Sequence, residues 1–208
     1  MATTFPRTIL PREASWPDMP SALRTFGNTG KVQTRTSLVT GRAWTEVYGP
    51  LRPSTGSVRA LFAQLAQFWR EGTILDVDHR SMRAILGVGT GTPLVQGASQ
   101  TGTTLITDGW TANTTNILSA GDIIRIDGLN LVYEVLATCS STASGTANVT
   151  ISPALVVGNS PADDAAITTN AVAGSVLFRC VLAEEVRFPK SGPAELYEGM
   201  TITFRETG

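Results

Sequence analysis

Asp122-Ile123-Ile124-Arg125-Ile126-Asp127-Gly128-Leu129-Asn130-Leu131-Val132-Tyr133-Glu134-Val135-Leu136 is the stretch that decides the fold class. Two short runs of β-branched, aliphatic and aromatic residues flank an Asp-Gly pair, a common hairpin connection. The pattern predicts strands at 122–127 and 131–136. Further strand candidates lie at 103–107, 147–152 and 172–179, with turn residues between them. Short strands at this spacing suit a small antiparallel barrel or sandwich. Composition agrees: 29 threonines and 20 glycines among 208 residues favour pleated surfaces and tight turns over long helices.

Outward from this block, charge divides the chain. Residues 91–178 hold one basic group, Arg125, against six acidic ones, a net of −5. Residues 1–90 hold eleven basic and six acidic groups, a net of +5, and residues 179–208 four and five, a net of −1. Glycine-marked shifts near 87–91 and 173–175 therefore predict an inserted domain at 91–174 within a flanking domain of 1–90 and 175–208. Only two lysines occur, so nearly all positive charge is arginine, which favours fixed bidentate contacts and suits interfaces.

The front flank opens with Pro6, Pro11, Pro17 and Pro20, which forbid a continuous helix and predict an extended arm. Strands are predicted at 32–39 and 44–48, separated by Gly41. One strong helix follows at about 57–71. Its apolar residues Val58, Leu61, Phe62, Leu65, Phe68 and Trp69 recur at helical spacing, with Ser54, Thr55 or Ser57 to cap it and Gly72 to end it. The stripe reads as core. Short strands are predicted at 73–78 and 82–86, and closing strands at 176–182, 185–188 and 200–205.

The chemistry excludes more than it admits. Cys139 and Cys180 give no cysteine framework, and His79 is the single histidine, which removes most zinc sites and makes the Ser-His-Asp arrangement a long shot. Gly87-Val88-Gly89-Thr90-Gly91-Thr92 lacks the third glycine of a dinucleotide loop and the lysine of a P-loop, and reads as a hinge. Asp76, Asp78 and His79 read as strand-end or surface groups, and Asp163-Asp164 as a turn. Asp122, Asp127 and Glu134 have no partner that orients them as a glycosidase pair. No apolar run reaches the roughly 20 residues of a membrane helix, and the N-terminus lacks the apolar core of a secretory signal. The spread of arginines over arm, strands and helix start gives no specific nucleic-acid footprint. The reading is a non-enzyme with no cofactor and no metal.

Three stretches resemble the distal tail proteins of long-tailed bacteriophages. Gly41-Arg42-Ala43-Trp44, the helix Ala60-Leu61-Phe62-Ala63-Gln64-Leu65 with Phe68-Trp69-Arg70-Glu71-Gly72, and then Ile74-Leu75-Asp76-Val77 follow the strand, helix and strand order of that family's ring-forming domain. Leu118-Ser119-Ala120-Gly121-Asp122-Ile123-Ile124-Arg125-Ile126, Leu131-Val132-Tyr133-Glu134-Val135 and 144–155 are similar to a module common in phage tail and baseplate proteins. Met200-Thr201-Ile202-Thr203-Phe204-Arg205-Glu206 resembles a closing strand of the ring domain. The arm, residues 1–30, matches nothing in the family pattern.

The resemblance implies a mainly β protein with one principal α-helix: a ring-forming β domain carrying an inserted small antiparallel β-barrel or sandwich that faces outward. It further implies a homo-oligomeric ring, often six-fold and here expected to be a hexamer, at the distal end of the tail tube. The partners would be the tail-tube protein and the baseplate hub, and the location the virion tail after assembly in the host cytoplasm. Leu61, Phe62, Leu65, Phe68 and Trp69 would stiffen the ring domain, and Arg35, Arg42, Arg52 and Arg59 would pair with neighbouring subunits. Two alternatives stand beside this reading. One is a tail-tube or other baseplate subunit. The other is a carbohydrate-binding adhesion module in the inserted domain, with Trp110 and Tyr133 stacking on a host-surface glycan.

Overall fold

Side chains alternate across a strand, so a residue's phase decides which face of the sheet it joins. The computed structural model describes residues 2–17, 41–52, 55–186 and 199–207, together with the backbone of 23–26 and 32–35. In chain order the elements are β1 (Thr3–Thr4), β2 (Glu13–Ala14), β3 (Leu23–Phe26), β4 (Val32–Arg35), β5 (Ala43–Tyr48), α1 (Gly56–Glu71), β6 (Leu75–Val77) and a 3-10 turn at Arg80–Met82. There follow β7 (Gly91–Val95), β8 (Gly102–Trp110), β9 (Ile123–Ile126), β10 (Val132–Val135), β11 (Ala147–Leu155), β12 (Ile167–Thr169), β13 (Phe178–Leu182) and β14 (Met200–Glu206). Among the described residues the protein is mainly β, with one α-helix, a nearly closed six-stranded barrel-like sheet and a second sheet.

Contacts divide the chain into two units. One comprises Met1–Thr34, Thr40–Val77 and Arg179–Gly208; the other comprises Arg35–Val39 and Asp78–Phe178. The segment from Asp78 to the glycine run at 87–91 goes with the second unit. It is tied there by hydrogen bonds from the Leu86 and Gly87 amides to Asp122, and from the Asn170 side chain to the Met82 carbonyl.

The first unit is built on a sheet of order β1-β6-β13-β14-β5-β2, drawn from both ends of the chain. β14 and β5 pair over six residues, from Met200 opposite Tyr48 to Arg205 opposite Ala43. Trp44, Tyr48, Met200, Ile202, Phe204, Cys180 and Leu182 are buried in one alternating phase. The N-terminal arm supplies both edges. β1 pairs parallel with β6 at Thr3 and Thr4, and β2 pairs antiparallel with β5 at Glu13 and Ala14. Five strand spacings separate these edges along the sheet, about 24 Å. The stretch from Thr4 to Glu13 joins the two edges as a non-helical strap that bends at Thr8–Ile9 and again at Arg12, so the extended arm expected from Pro6 and Pro11 is interrupted by turns.

Helix α1 starts one residue before its predicted range and ends at Gly72. That residue is left-handed (φ 59°), and the Gly72 and Thr73 amides return to the last turn at Trp69 and Phe68. Its N-cap is Thr55, which makes no side-chain capping bond.

The second unit is the order β12-β9-β10-β11-β8-β7. The hairpin forms as predicted: Tyr133 stands opposite Ile124 and Glu134 opposite Ile123, with Gly128 at φ 80° in the turn. The two outer strands approach each other through a bridge between Leu94 and Ala166 and the bond from the Val95 amide to the Ala165 carbonyl, 3.0 Å, which nearly closes the barrel. Its core includes Leu105, Trp110, Ile117, Leu118, Ile124, Ile126, Tyr133, Val135, Val149 and Ile151.

Two predicted strands are replaced by turns. At 82–86 the Leu86 amide is taken by the Asp122 carboxylate and the Arg83 carbonyl accepts from Gly174, so no ladder can form. At 172–177 the Asn170 side chain accepts from the Val176 amide around a turn with Gly174 at φ 76°, and β13 begins only at Phe178. The prediction at 185–188 lies partly outside the described residues.

Candidate functional site

Strand β5 alternates Trp44, Glu46 and Tyr48 on the buried face, which puts a carboxylate among aromatic rings. Burial of an ionised group is costly unless it is paired and hydrogen-bonded. The strap meets that requirement. Arg7 makes a bidentate contact to Glu46, Nη1 to Oε2 at 2.6 Å and Nη2 to Oε1 at 2.9 Å, the strong fork geometry of guanidinium and carboxylate. The Tyr48 hydroxyl donates to Glu46 Oε2 at 2.9 Å, Trp44 Nε1 donates to Oε1 at 3.4 Å, and Arg7 also reaches the Tyr48 hydroxyl at 3.3 Å. Phe5 packs edge-on against Phe204 with ring centres 5.1 Å apart and lies under the Arg7 guanidinium. Phe204 in turn packs against Trp44. The result is a socket on the sheet that grips an aromatic residue and an arginine two positions apart on one extended strand.

Burial drives the Tyr48 phenol far above its ordinary range, helped by the Glu46 charge and opposed by Arg7. A second buried pair stands at the other end of β5. Arg42 lies against Glu206, whose carboxylate accepts from the Arg42 amide at 3.1 Å, while the Glu206 amide donates to the Arg42 carbonyl at 2.8 Å. The Cys180 thiol is pushed well up by burial and by the charges of Glu206, Asp76 and Glu46. The half-buried Cys139 thiol is raised by burial and by Asp122, against a hydrogen bond from Leu118.

In the second unit Asp122 is the organising carboxylate. It is buried and accepts backbone N–H groups from Leu86 (2.6 Å), Gly87 (3.0 Å) and Ser119 (2.7 Å). This fixes the glycine run read as a hinge. A side chain at Gly87 would meet the Ile117 carbonyl oxygen and Leu118 Cα at 2.7 Å, so glycine serves a close backbone approach there.

The predicted site residues separate into several environments. Leu61 and Leu65 are buried, Phe62 and Phe68 half-buried, and Trp69 is 39% exposed in the last helical turn. There it lines a cavity of about 300 Å³ with Leu65, Ala66, Arg70, Glu185 and Val186. Arg42 is buried against Glu206 inside its own chain, which removes it from the interface set, whereas Arg52 and Arg59 are exposed. The Arg35 side chain lies outside the described residues. Trp110 and Tyr133 are corrected from stacking platforms to core: both are buried, and Trp110 Nε1 donates at 2.8 Å to the Thr107 hydroxyl, which donates to the Ala147 carbonyl. Neither offers a ring face to a sugar. His79 is buried against Phe178 instead of lying at the surface, and Asp78 pairs with Arg83 at 2.8 Å.

The sequence reading does not bring Arg7, Glu46 and Glu206 together as a site, and it weighs Asp122 only as a glycosidase carboxylate. The available signal was phase. Glu46 and Glu206 continue the buried alternations Trp44–Tyr48 and Met200–Phe204, where a charge requires an internal partner. Among the described residues, no group of three or more His, Cys, Asp or Glu is placed to hold a metal ion, and no helix is long and apolar enough to cross a membrane. No protein-family model matches the chain, and no curated protein matches it.

Proposed function

We propose that this chain is a non-enzymatic structural subunit of a bacteriophage tail, forming a ring at the distal end of the tail tube that links tube to baseplate hub. The observation that carries the reading is the construction of the first unit. Its sheet takes β1, β2, β5 and β6 from the front of the chain and β13 and β14 from the end, with the barrel unit inserted between β6 and β13. That is the arrangement the three resembling stretches imply for a ring domain with an insertion. The first unit holds two ion pairs internal to the chain, Arg7 with Glu46 and Arg42 with Glu206, as in a scaffold held in one shape. A closed ring needs two different complementary surfaces on each subunit. The exposed Arg52 and Arg59 supply one of these, pairing with carboxylates of a neighbouring copy.

Light-scattering mass across concentration tests this reading. A discrete multimer of the 22.0 kDa chain that dissociates in the Arg52→Glu/Arg59→Glu variant supports it. A multimer unaffected by both substitutions would remove the two arginines from the interface. A monomer at every concentration would remove the ring.

A further inference from the structure

We infer that the N-terminal strap is a single latch closing both edges of the first unit's sheet, with Phe5 and Arg7 as its catch: freeing those two side chains opens both edges together to an added strand. The inference rests on contacts within one chain and is independent of assembly. A sheet edge presents a row of unpaired N–H and C=O groups, and a sheet that does not close on itself has two such edges. Without the strap, the outer strands of this sheet are β6 and β5. The strap takes backbone groups of each. At β6 the Ile74 and Asp76 carbonyls accept from the Thr3 and Phe5 amides, both at 2.9 Å. At β5 the Val47 and Thr45 carbonyls accept from the Arg12 and Ser15 amides at 2.8 and 2.9 Å, and the Thr45 amide donates to the Ser15 hydroxyl at 2.9 Å.

The strap is built to end the sheet on both sides. β1 and β2 have two residues each, and Thr3, Thr4 and Glu13 are exposed, so the new outer edges are short and one carries a charge. Both features blunt an edge against further pairing. Pro6 and Pro11 stand just inside the two docking segments and have no amide hydrogen to add to either ladder. Between the edges the hold comes from side chains. Phe5 is 2% exposed and packs on Phe204, and Arg7 forks onto the fully buried Glu46. A pairing of two residues is too small to persist alone. Each edge contact therefore depends on the one buried anchor, and through it on the other edge. With the anchor out, Glu46 and the Phe204 ring stand open beside two unpaired strand edges. The segment that fits there is an extended chain with an aromatic residue and an arginine two positions on, docking by strand addition.

Native-state hydrogen exchange of the unmodified chain across a urea series reads the latch directly. One latch predicts that the Thr3, Phe5, Arg12 and Ser15 amides share one opening with one urea dependence, reached well before the β5–β14 ladder opens. Separate openings at the two edges, or exchange of all four only with the whole sheet, would overturn it. In Arg7→Met, loss of the charged fork should speed exchange about a hundredfold at both ends alike. A change confined to Phe5 would overturn the coupling. Edge opening is read with a labelled synthetic peptide of residues 2–16. The Phe5→Ser/Arg7→Glu chain should bind this peptide, and the unmodified chain should not, because its own strap fills both edges. A folded variant that leaves the peptide free, or an unmodified chain that takes it up, overturns the proposal. Where that variant fails to fold, the shared or separate openings of the unmodified chain decide.

Discussion

Replacing Asp122 by alanine removes the acceptor for three backbone amides at once. Leu86, Gly87 and Ser119 donate to its carboxylate at 2.6, 3.0 and 2.7 Å, and no other acceptor for them is formed by the substitution. A hydrogen bond to a charged group contributes about 1.5–3 kcal/mol net, and a stranded buried donor costs about 1–3 kcal/mol. These amides are only part-buried, so water recovers some of the loss, and the lower end applies: about 3–5 kcal/mol for Asp122→Ala. Asp122→Asn keeps one oxygen. If that oxygen takes the place of Oδ2, it retains Gly87 and Ser119 and turns an NH2 group toward the Leu86 amide, for a loss of about 2 kcal/mol. The assay is native-state amide hydrogen exchange. At a factor of ten per 1.4 kcal/mol, Asp122→Ala should speed exchange at Leu86, Gly87 and Ser119 by about a hundredfold to a few thousandfold, and Asp122→Asn by about thirtyfold. Exchange at these amides that is unchanged in both variants would refute the role given to Asp122.

Other perturbations have equally defined outcomes. Arg7→Met strands the buried Glu46 charge and should cost about 3–5 kcal/mol in urea unfolding, while the Arg7→Met/Glu46→Leu double variant should be less destabilised than the single one; a double variant worse than Arg7→Met would contradict the pairing. Because the Tyr48 phenol is raised above its unfolded value near 10, its contribution is complete below pH 10 and is lost as pH climbs beyond it, by up to about 1.4 kcal/mol per unit. Stability measured between pH 9 and 11.5 should therefore fall less steeply in Tyr48→Phe, and equal slopes would count against it. Native protein should show slow reaction of one thiol, Cys139, with Cys180 reacting only on unfolding. Trp110→Ala should lower the stability of the barrel unit by about 3–5 kcal/mol; Trp110→Phe, which keeps most of the packing, should leave any glycan-array signal unchanged, and its loss in the Phe variant would restore the adhesive reading.

Patterns that repeat within a few residues were legible in the sequence. The helix declared itself through Val58, Leu61 and Leu65 at helical spacing and Gly72 at its end, and β9 and β10 through their flanking of Asp127-Gly128. Long-range pairing was not legible. Arg42 looked like an interface residue because its partner Glu206 lies 164 residues away, and Arg7 carried no mark of the Glu46 socket 39 residues on. Strands of two residues, β1 and β2, are too short for any periodicity, and the prolines around them exclude a helix without marking the bends at Thr8–Ile9 and Arg12. Trp69 shares the helical stripe but stands in the final turn, two residues before the helix ends at Glu71, where burial is incomplete. Trp110 and Tyr133 are aromatic residues on strands, a pattern that fits a sugar platform and a barrel core equally well until burial is seen.

The most direct test of the central claim is negative-stain imaging of the largest species that the purified chain forms, with its mass measured in parallel. Particles of one size with an open centre, and a mass that is a whole multiple of 22.0 kDa, are the result expected of a ring subunit. A 22.0 kDa monomer at the highest attainable concentration, with no ring in any field, would contradict it.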